Sequence, residues 1–308
     1  MSDLQIRRVP FRFDEATPYQ WHPTNPDFGH LLNGISVIAV AFETYIVAVV
    51  RQAMDRITDA GVADEAEDFL RQEAQHARAH RLHLRALASQ YPGVKGVVDD
   101  AVASYDTVLE REPLEFHLAY IADLEATFTP MFKMLLDNRA SLFAPGDDRV
   151  ASLFLWHFVE EVEHRSSALR IYDAVVRRPW YRLRVMPRVF GHASQLFSQV
   201  MDGFEEHVPA EALVVTTRRV LSGTIWAREM AARVPVARRW AAGGDEYPPT
   251  VHAVPNGDLL RMAWRLALSQ VPGHAPAREP VPAFAAEWVA GYERGVDVTR
   301  WFASAAAA

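Results

Sequence analysis

Apolar residues recur at three- and four-residue intervals along most of the chain, and no stretch carries the period-two alternation of a half-buried strand. The pattern predicts an all-α protein. Helices are expected over about 31–58, 63–90, 113–139 and 148–177, with a weaker one over 95–110. The stop signals are Gly61, Tyr91-Pro92-Gly93, Pro145-Gly146 and Arg178-Pro179. Beyond them 181–206, 209–239, 256–270 and 281–303 also read as helical, interrupted at 243–249 and 271–276, and the closing alanines should fray. Residues 1–30, rich in Pro, aromatics and His, read as an extended arm. This divides the chain into an arm (1–30), a unit of four principal helices (31–178) and a helical extension packed on it (179–308).

Two features break the apolar faces of those helices. Glu43 is the one charged residue between Gly34 and Val50, and Glu125 falls in the stripe Leu118, Ile121, Glu125, Phe128, Phe132. An unpaired carboxylate in such surroundings costs several kcal/mol or is forced to neutralise, and a bound cation removes the problem. Each lone Glu precedes a Glu-x-x-His motif, Glu73/His76 and Glu161/His164, by 30 and 36 residues. Residues three apart on a helix share a face, so each motif can offer a carboxylate and an imidazole to one ion. Two motifs and two lone glutamates make the ligand set of a dinuclear site inside a four-helix bundle. His157, four residues before Glu161, joins the set, and His80, four after His76, is a further candidate. Glu160 and Glu163 flank Glu161 but lack a His at the right spacing; Glu163 is expected to face solvent.

Composition narrows the chemistry. The formal charge, 32 minus 39 or −7, leaves no electrostatic footprint for nucleic acid or an anionic membrane. With no Cys there are no disulfides, thiolate metal sites or thiol nucleophiles, and Lys95 and Lys133 are the only lysines. The amino terminus lacks the apolar core of a signal peptide, and the 17-residue apolar run around Glu43 is too short and too charged for a membrane span, so a cytoplasmic protein is expected. Tyr45, Tyr120 and Tyr172 fall on ligand helices and read as core aromatics.

The segments Phe69-x3-Glu73-x2-His76-x3-His80 and Trp156-His157-x2-Glu160-Glu161-x-Glu163-His164 resemble the ferritin-like proteins labelled predicted metal-dependent hydrolases. The resemblance takes in Trp21-x-Pro23-x2-Pro26 and fades beyond about residue 175; Arg170 departs from it, standing where an acidic residue is expected. It implies a ferritin-like four-helix bundle with additional C-terminal helices. The order Glu43, Glu73, His76, Glu125, His157, Glu161, His164 is also similar to that of the di-iron p-aminobenzoate N-oxygenases, which implies oxygen chemistry. A Glu-rich site deep among helices suits iron, and an apolar lining from Ile35, Ala39, Ile46, Phe128, Phe132 and Phe154 would shelter a reactive species. The expectation is therefore a di-iron oxidase or oxygenase holding two metal ions, Fe ahead of Mn or Zn. Its expected partners are a small organic substrate, dioxygen, an external electron donor and a second copy of the chain. No Gly-x-Gly-x-x-Gly segment is present to bind a flavin or nicotinamide. The rival readings are a metal-dependent hydrolase with the same ligands, a metal-storage protein, and a structural bundle.

Overall fold

The computed structural model describes residues 4–214 and 250–307, and among these there is no strand. Asn25 caps α1 (Pro26–Ala53), its side chain accepting from the Phe28 N–H, and Pro26 stands in the first turn where no N–H partner is needed. The helix therefore begins five residues before the expected position 31. Asp59 caps α2 (Ala60–Gln90) in the same way, through the Val62 N–H. The chain continues through α3 (Val94–Arg111), α4 (Leu114–Asp137), the single turn α5 (Arg139–Leu142), α6 (Asp148–Glu163), α7 (Ser167–Val175) and α8 (Pro179–His207). After the short α9 (Ala210–Leu213) come α10 (Asn256–Ser269), α11 (Ala283–Glu293) and α12 (Trp301–Ala307). Of the helix expected over 209–239 only that first turn can be described; the remainder, and the break at 243–249, lie outside the described residues.

Two expected helices are divided. The one over 148–177 stops at His164 (φ −89°, ψ 12°) and resumes at Ser167. Arg165 folds back at the break and donates to the freed Val162 carbonyl at 2.7 Å and to the Pro276 carbonyl at 3.0 Å. The one over 281–303 ends at Glu293 because Gly295 turns the chain with φ 78°, a conformation open to glycine.

Helix α1 lies at the centre, packed against α2, α3, α4 and α8, while α4 also meets α6, α7 and α10. Val40, Ile46 and Val49 are wholly buried, which is worth about 1.5–3 kcal/mol for each such side chain. By length and composition α1 could cross a membrane, but 72 % of its most apolar window is buried inside the protein. The N-terminal arm packs on α6: Trp21 stacks on Phe154 and is 1 % exposed. The far end of the chain does the same. Asp148 accepts from the backbone N–H groups of Phe302 and Ala303, and Ser152 accepts from that of Trp301. Helix α6 is thereby covered by both ends of the sequence.

Candidate metal centre

Glu43 comes from α1, Glu73 and His76 from α2, Glu125 from α4, and His157 and Glu161 from α6, with His164 at its C-cap. All seven are buried. Their donor atoms form two overlapping groups that could each hold an ion, Glu43/His76/His157/Glu161 and Glu73/Glu161/His164. Glu161 belongs to both. Its Oε1 lies 3.0 Å from His157 Nε2 and 3.5 Å from His76 Nδ1, while its Oε2 lies 3.3 Å from His164 Nε2. Glu43 Oε1 is 3.2 Å from His157 Nε2, Glu73 Oε1 is 3.3 Å from His164 Nε2, and Glu125 Oε2 is 3.7 Å from the same nitrogen.

These atoms crowd together with few bonds among them. Glu43 Oε2, both oxygens of Glu73, His76 Nδ1, Glu161 Oε2 and His164 Nε2 are buried without a hydrogen-bond partner. A buried orphan of this kind costs about 1–3 kcal/mol, more when charged. Six converging on one place fit a group that accepts their lone pairs, and carboxylate and imidazole are the donors that divalent Fe, Mn and Zn take.

The charges agree. Burial pushes the carboxyls of Glu43 and Glu73 well above the usual carboxylate range. Burial, and then the Glu161 charge, raises Glu125 to about 7. Burial acts on Glu161 in the same direction, but His164, His157 and His76 outweigh it and hold that carboxylate well below its ordinary value. Burial and His157 oppose the charge on His76, yet Glu160 and Glu161 prevail and raise it to about 9. His164, against burial, is likewise raised by Glu161, Glu125 and Glu73. Without a cation, protons are what neutralise the cluster.

The description of one protein family, predicted metal-dependent hydrolase, fits this arrangement, and its sequence model matches residues 5–250. The chain belongs to that family. The family match runs well past residue 175, where the resemblance was expected to fade. No curated protein and no solved structure matches the chain.

Around the donor set lies a second layer of polar residues, most of which the spacing of motifs does not reveal. His80 Nε2 is 2.8 Å from His157 Nδ1, and its Nδ1 is 3.0 Å from the Ser36 hydroxyl, which also meets His83 at 3.2 Å. Both nitrogens of His80 are thus taken, one by the back of the His157 ring and the other by Ser36. His76 Nε2 meets Glu160 Oε2 at 2.9 Å, and His164 Nδ1 meets Gln72 Oε1 at 3.1 Å. Glu163, expected to face solvent, is half-buried and keeps partners on its inner side: Arg7 donates to both of its oxygens at 2.9 Å and Gln72 donates to one at 2.9 Å. Arg170, where the resemblance calls for an acidic residue, pairs with Glu65, which also accepts from Ser167 at 2.7 Å.

Beside the donors is a cavity of about 50 Å³. Ile35, Ala39, Phe128 and Phe132 line it as expected, joined by Ile38, Phe42 and Met131. Ile46 and Phe154 do not. On α1 the cavity lies on the N-terminal side of Glu43 and on α4 on the C-terminal side of Glu125, so Ile46 is on the wrong side, and Phe154 packs against Trp21 and His80.

Proposed function

We propose that this family member is a metal-dependent enzyme whose core would hold two ions, Glu161 contributing to both donor sets. Glu43, His76 and His157 would complete one ion's set, and Glu73, Glu125 and His164 the other's. The observation that carries this reading is the convergence of six partnerless donor atoms, on three elements of the fold, upon one enclosed place. His80 is assigned an orienting role on His157, since its own nitrogens are already used.

Hydrolysis is the reaction that family membership supports. A pair of divalent ions supplies Lewis acidity and a nucleophilic water at neutral pH. The chain contributes a fixed donor geometry and a small apolar cavity that selects a substrate with a small hydrocarbon portion, because apart from the donors its walls offer no polar side chain.

A second reading, oxidation of a small organic substrate by dioxygen on an iron pair, is favoured by a separate observation. The cavity is walled by Phe42, Phe128, Phe132 and aliphatic side chains, a lining suited to excluding water from a redox-active centre. Electrons would then come from an external donor or the substrate. In either reading α1 serves as a core element rather than a membrane span, since 72 % of its most apolar window is buried inside the protein.

The deciding experiment loads metal-free protein separately with Fe(II), Mn(II) and Zn(II). Each form is assayed for cleavage of esters and phosphoesters with small apolar groups, and for dioxygen uptake. Turnover with zinc or manganese and no oxygen consumption supports hydrolysis. Oxygen uptake confined to the iron form supports the second reading. Failure of the chain to bind any of the three metals sinks both.

A further inference from the structure

The histidines of the centre need one bare nitrogen each, and the outer layer determines which. Glu160 is acceptor-only when ionised, so at 2.9 Å it keeps a proton on His76 Nε2 and makes Nδ1, which faces Glu161, the nitrogen that an ion would take. Gln72 does the same for His164, and its orientation is forced. Its amide nitrogen donates to Glu163 Oε2 at 2.9 Å and to the Gln5 carbonyl at 3.0 Å, both pure acceptors. Gln72 Oε1 must therefore face His164 Nδ1, which leaves Nε2 bare toward Glu73 and Glu161.

One residue joins the two branches. Arg7 is 2 % exposed, 153 residues from Glu160 in sequence, and its Nη1 reaches Glu160 at 3.2 Å and Glu163 at 2.9 Å while Nη2 takes the other Glu163 oxygen at 2.9 Å. A planar fork can serve two carboxylates at once, which a lysine ammonium does less well. We propose that Arg7, on the N-terminal arm, is a positioning residue for both halves of the centre, holding His76 through Glu160 and His164 through Glu163 and Gln72. The arm is then part of the metal site rather than a cover over it.

The inference rests on reading the cluster as a metal centre, and its test separates the two. Full-length chain stripped of metal is titrated with Co(II) alone, followed by the visible absorption of the bound ion and by equilibrium dialysis, with circular dichroism reporting the fold. Wild type should bind two ions. Arg7→Ala should weaken both by about 10–100-fold and alter the absorption bands, the usual size of an outer-layer loss. Gln72→Met should weaken one ion and spare the other. Should Arg7→Ala fail to fold, Arg7→Lys decides, because a point charge serving one carboxylate at a time should move the two binding steps apart by about tenfold or more. A folded Arg7 variant whose affinities and bands match wild type overturns the inference and leaves the metal centre standing. Wild type that takes up no cobalt overturns both.

Discussion

Two regions of the core hold buried polar side chains, and they differ in whether those side chains answer one another. Around α3, α4 and α8 the Tyr45 hydroxyl lies 2.8 Å from His117 Nδ1, and the Tyr120 hydroxyl lies 2.8 Å from His192 Nδ1, whose other nitrogen meets Ser104 at 3.0 Å. Asp123 accepts from Arg182 at 2.8 Å, with both side chains buried. The buried charges there are paired, although Asp123 Oδ2 and Arg182 Nη2 lack a hydrogen-bond partner of their own. Around Glu161 four carboxyls (Glu43, Glu73, Glu125, Glu161) meet three imidazoles (His76, His157, His164), and six donor atoms have no partner. Helix α4 runs through both regions, with Asp123 facing an arginine and Glu125, two residues on, no nearer to a basic group than 3.7 Å from His164 among the ion pairs of the described residues. A buried carboxylate does not by itself mark a site; one without its counter-charge does.

The largest consequence is for metal removal. Ligands that bind only the folded chain stabilise it by about 4 kcal/mol each at a thousandfold excess over Kd. Stripping two ions should therefore lower Tm by on the order of 10 °C and abolish activity, and restoring them should reverse both. Calorimetry before and after dialysis against a chelator checks this. An unchanged Tm, with metal shown to be present beforehand, would place the ions somewhere other than the core.

Next in size is a pair of substitutions with opposite expected signs. Arg182→Met leaves Asp123 buried and unpaired and should cost about 3–5 kcal/mol in urea unfolding, with metal stoichiometry unchanged in the folded fraction. Glu43→Gln removes a charge that burial already disfavours. In the stripped protein it should be neutral or stabilising, while in the loaded protein it should eliminate one binding step. If the stripped Glu43→Gln protein loses as much stability as Arg182→Met, the distinction between the two regions fails.

The burial and convergence of the candidate donors were legible in the sequence because they obey a local rule: a Glu breaks an apolar face, and in two places a His follows a Glu at i+3. The all-α class was legible for the same reason, since helical periodicity is a property of short windows. What periodicity lacks is position along the third dimension. Ile46 lies three residues from Glu43 yet does not line the cavity, and nothing near Arg7 in sequence signals Glu160 or Glu163. Glu163 itself read as a surface residue because its inward partners, Arg7 and Gln72, come from the arm and from α2. The split after His164 was hidden as well, because a carbonyl of the broken turn is taken by an arginine side chain that the helical pattern does not require.

The two regions should also respond differently to pH. His76, raised to about 9, and Glu125, raised to about 7, both hold protons at neutral pH that incoming ions must displace. Because both values are raised, fewer protons need displacing as pH climbs from about 6 to 9. Apparent metal affinity should therefore rise over that range, by up to about tenfold per pH unit for each proton released. Titration in weak buffer with an indicator dye would count the protons. Affinity that stays flat between those limits contradicts the proton-neutralised cluster.

The smallest effect belongs to the satisfied region and tests it from within. Tyr45→Phe keeps the ring among Phe42, Tyr105 and Tyr120 and removes only the hydroxyl opposite His117. A net hydrogen bond of this kind is worth about 1 kcal/mol, and the bare His117 nitrogen adds a modest desolvation cost. Unfolding should shift by roughly that amount, while cobalt stoichiometry, affinity and absorption bands stay at wild-type values. Tyr45 lies on the same helix as Glu43 and two residues from it, so proximity alone would predict a disturbed centre. A changed cobalt spectrum in a variant this well packed would mean that the two regions are coupled through α1, and that the hydroxyl bonds of the satisfied region help hold the donors as well as the core.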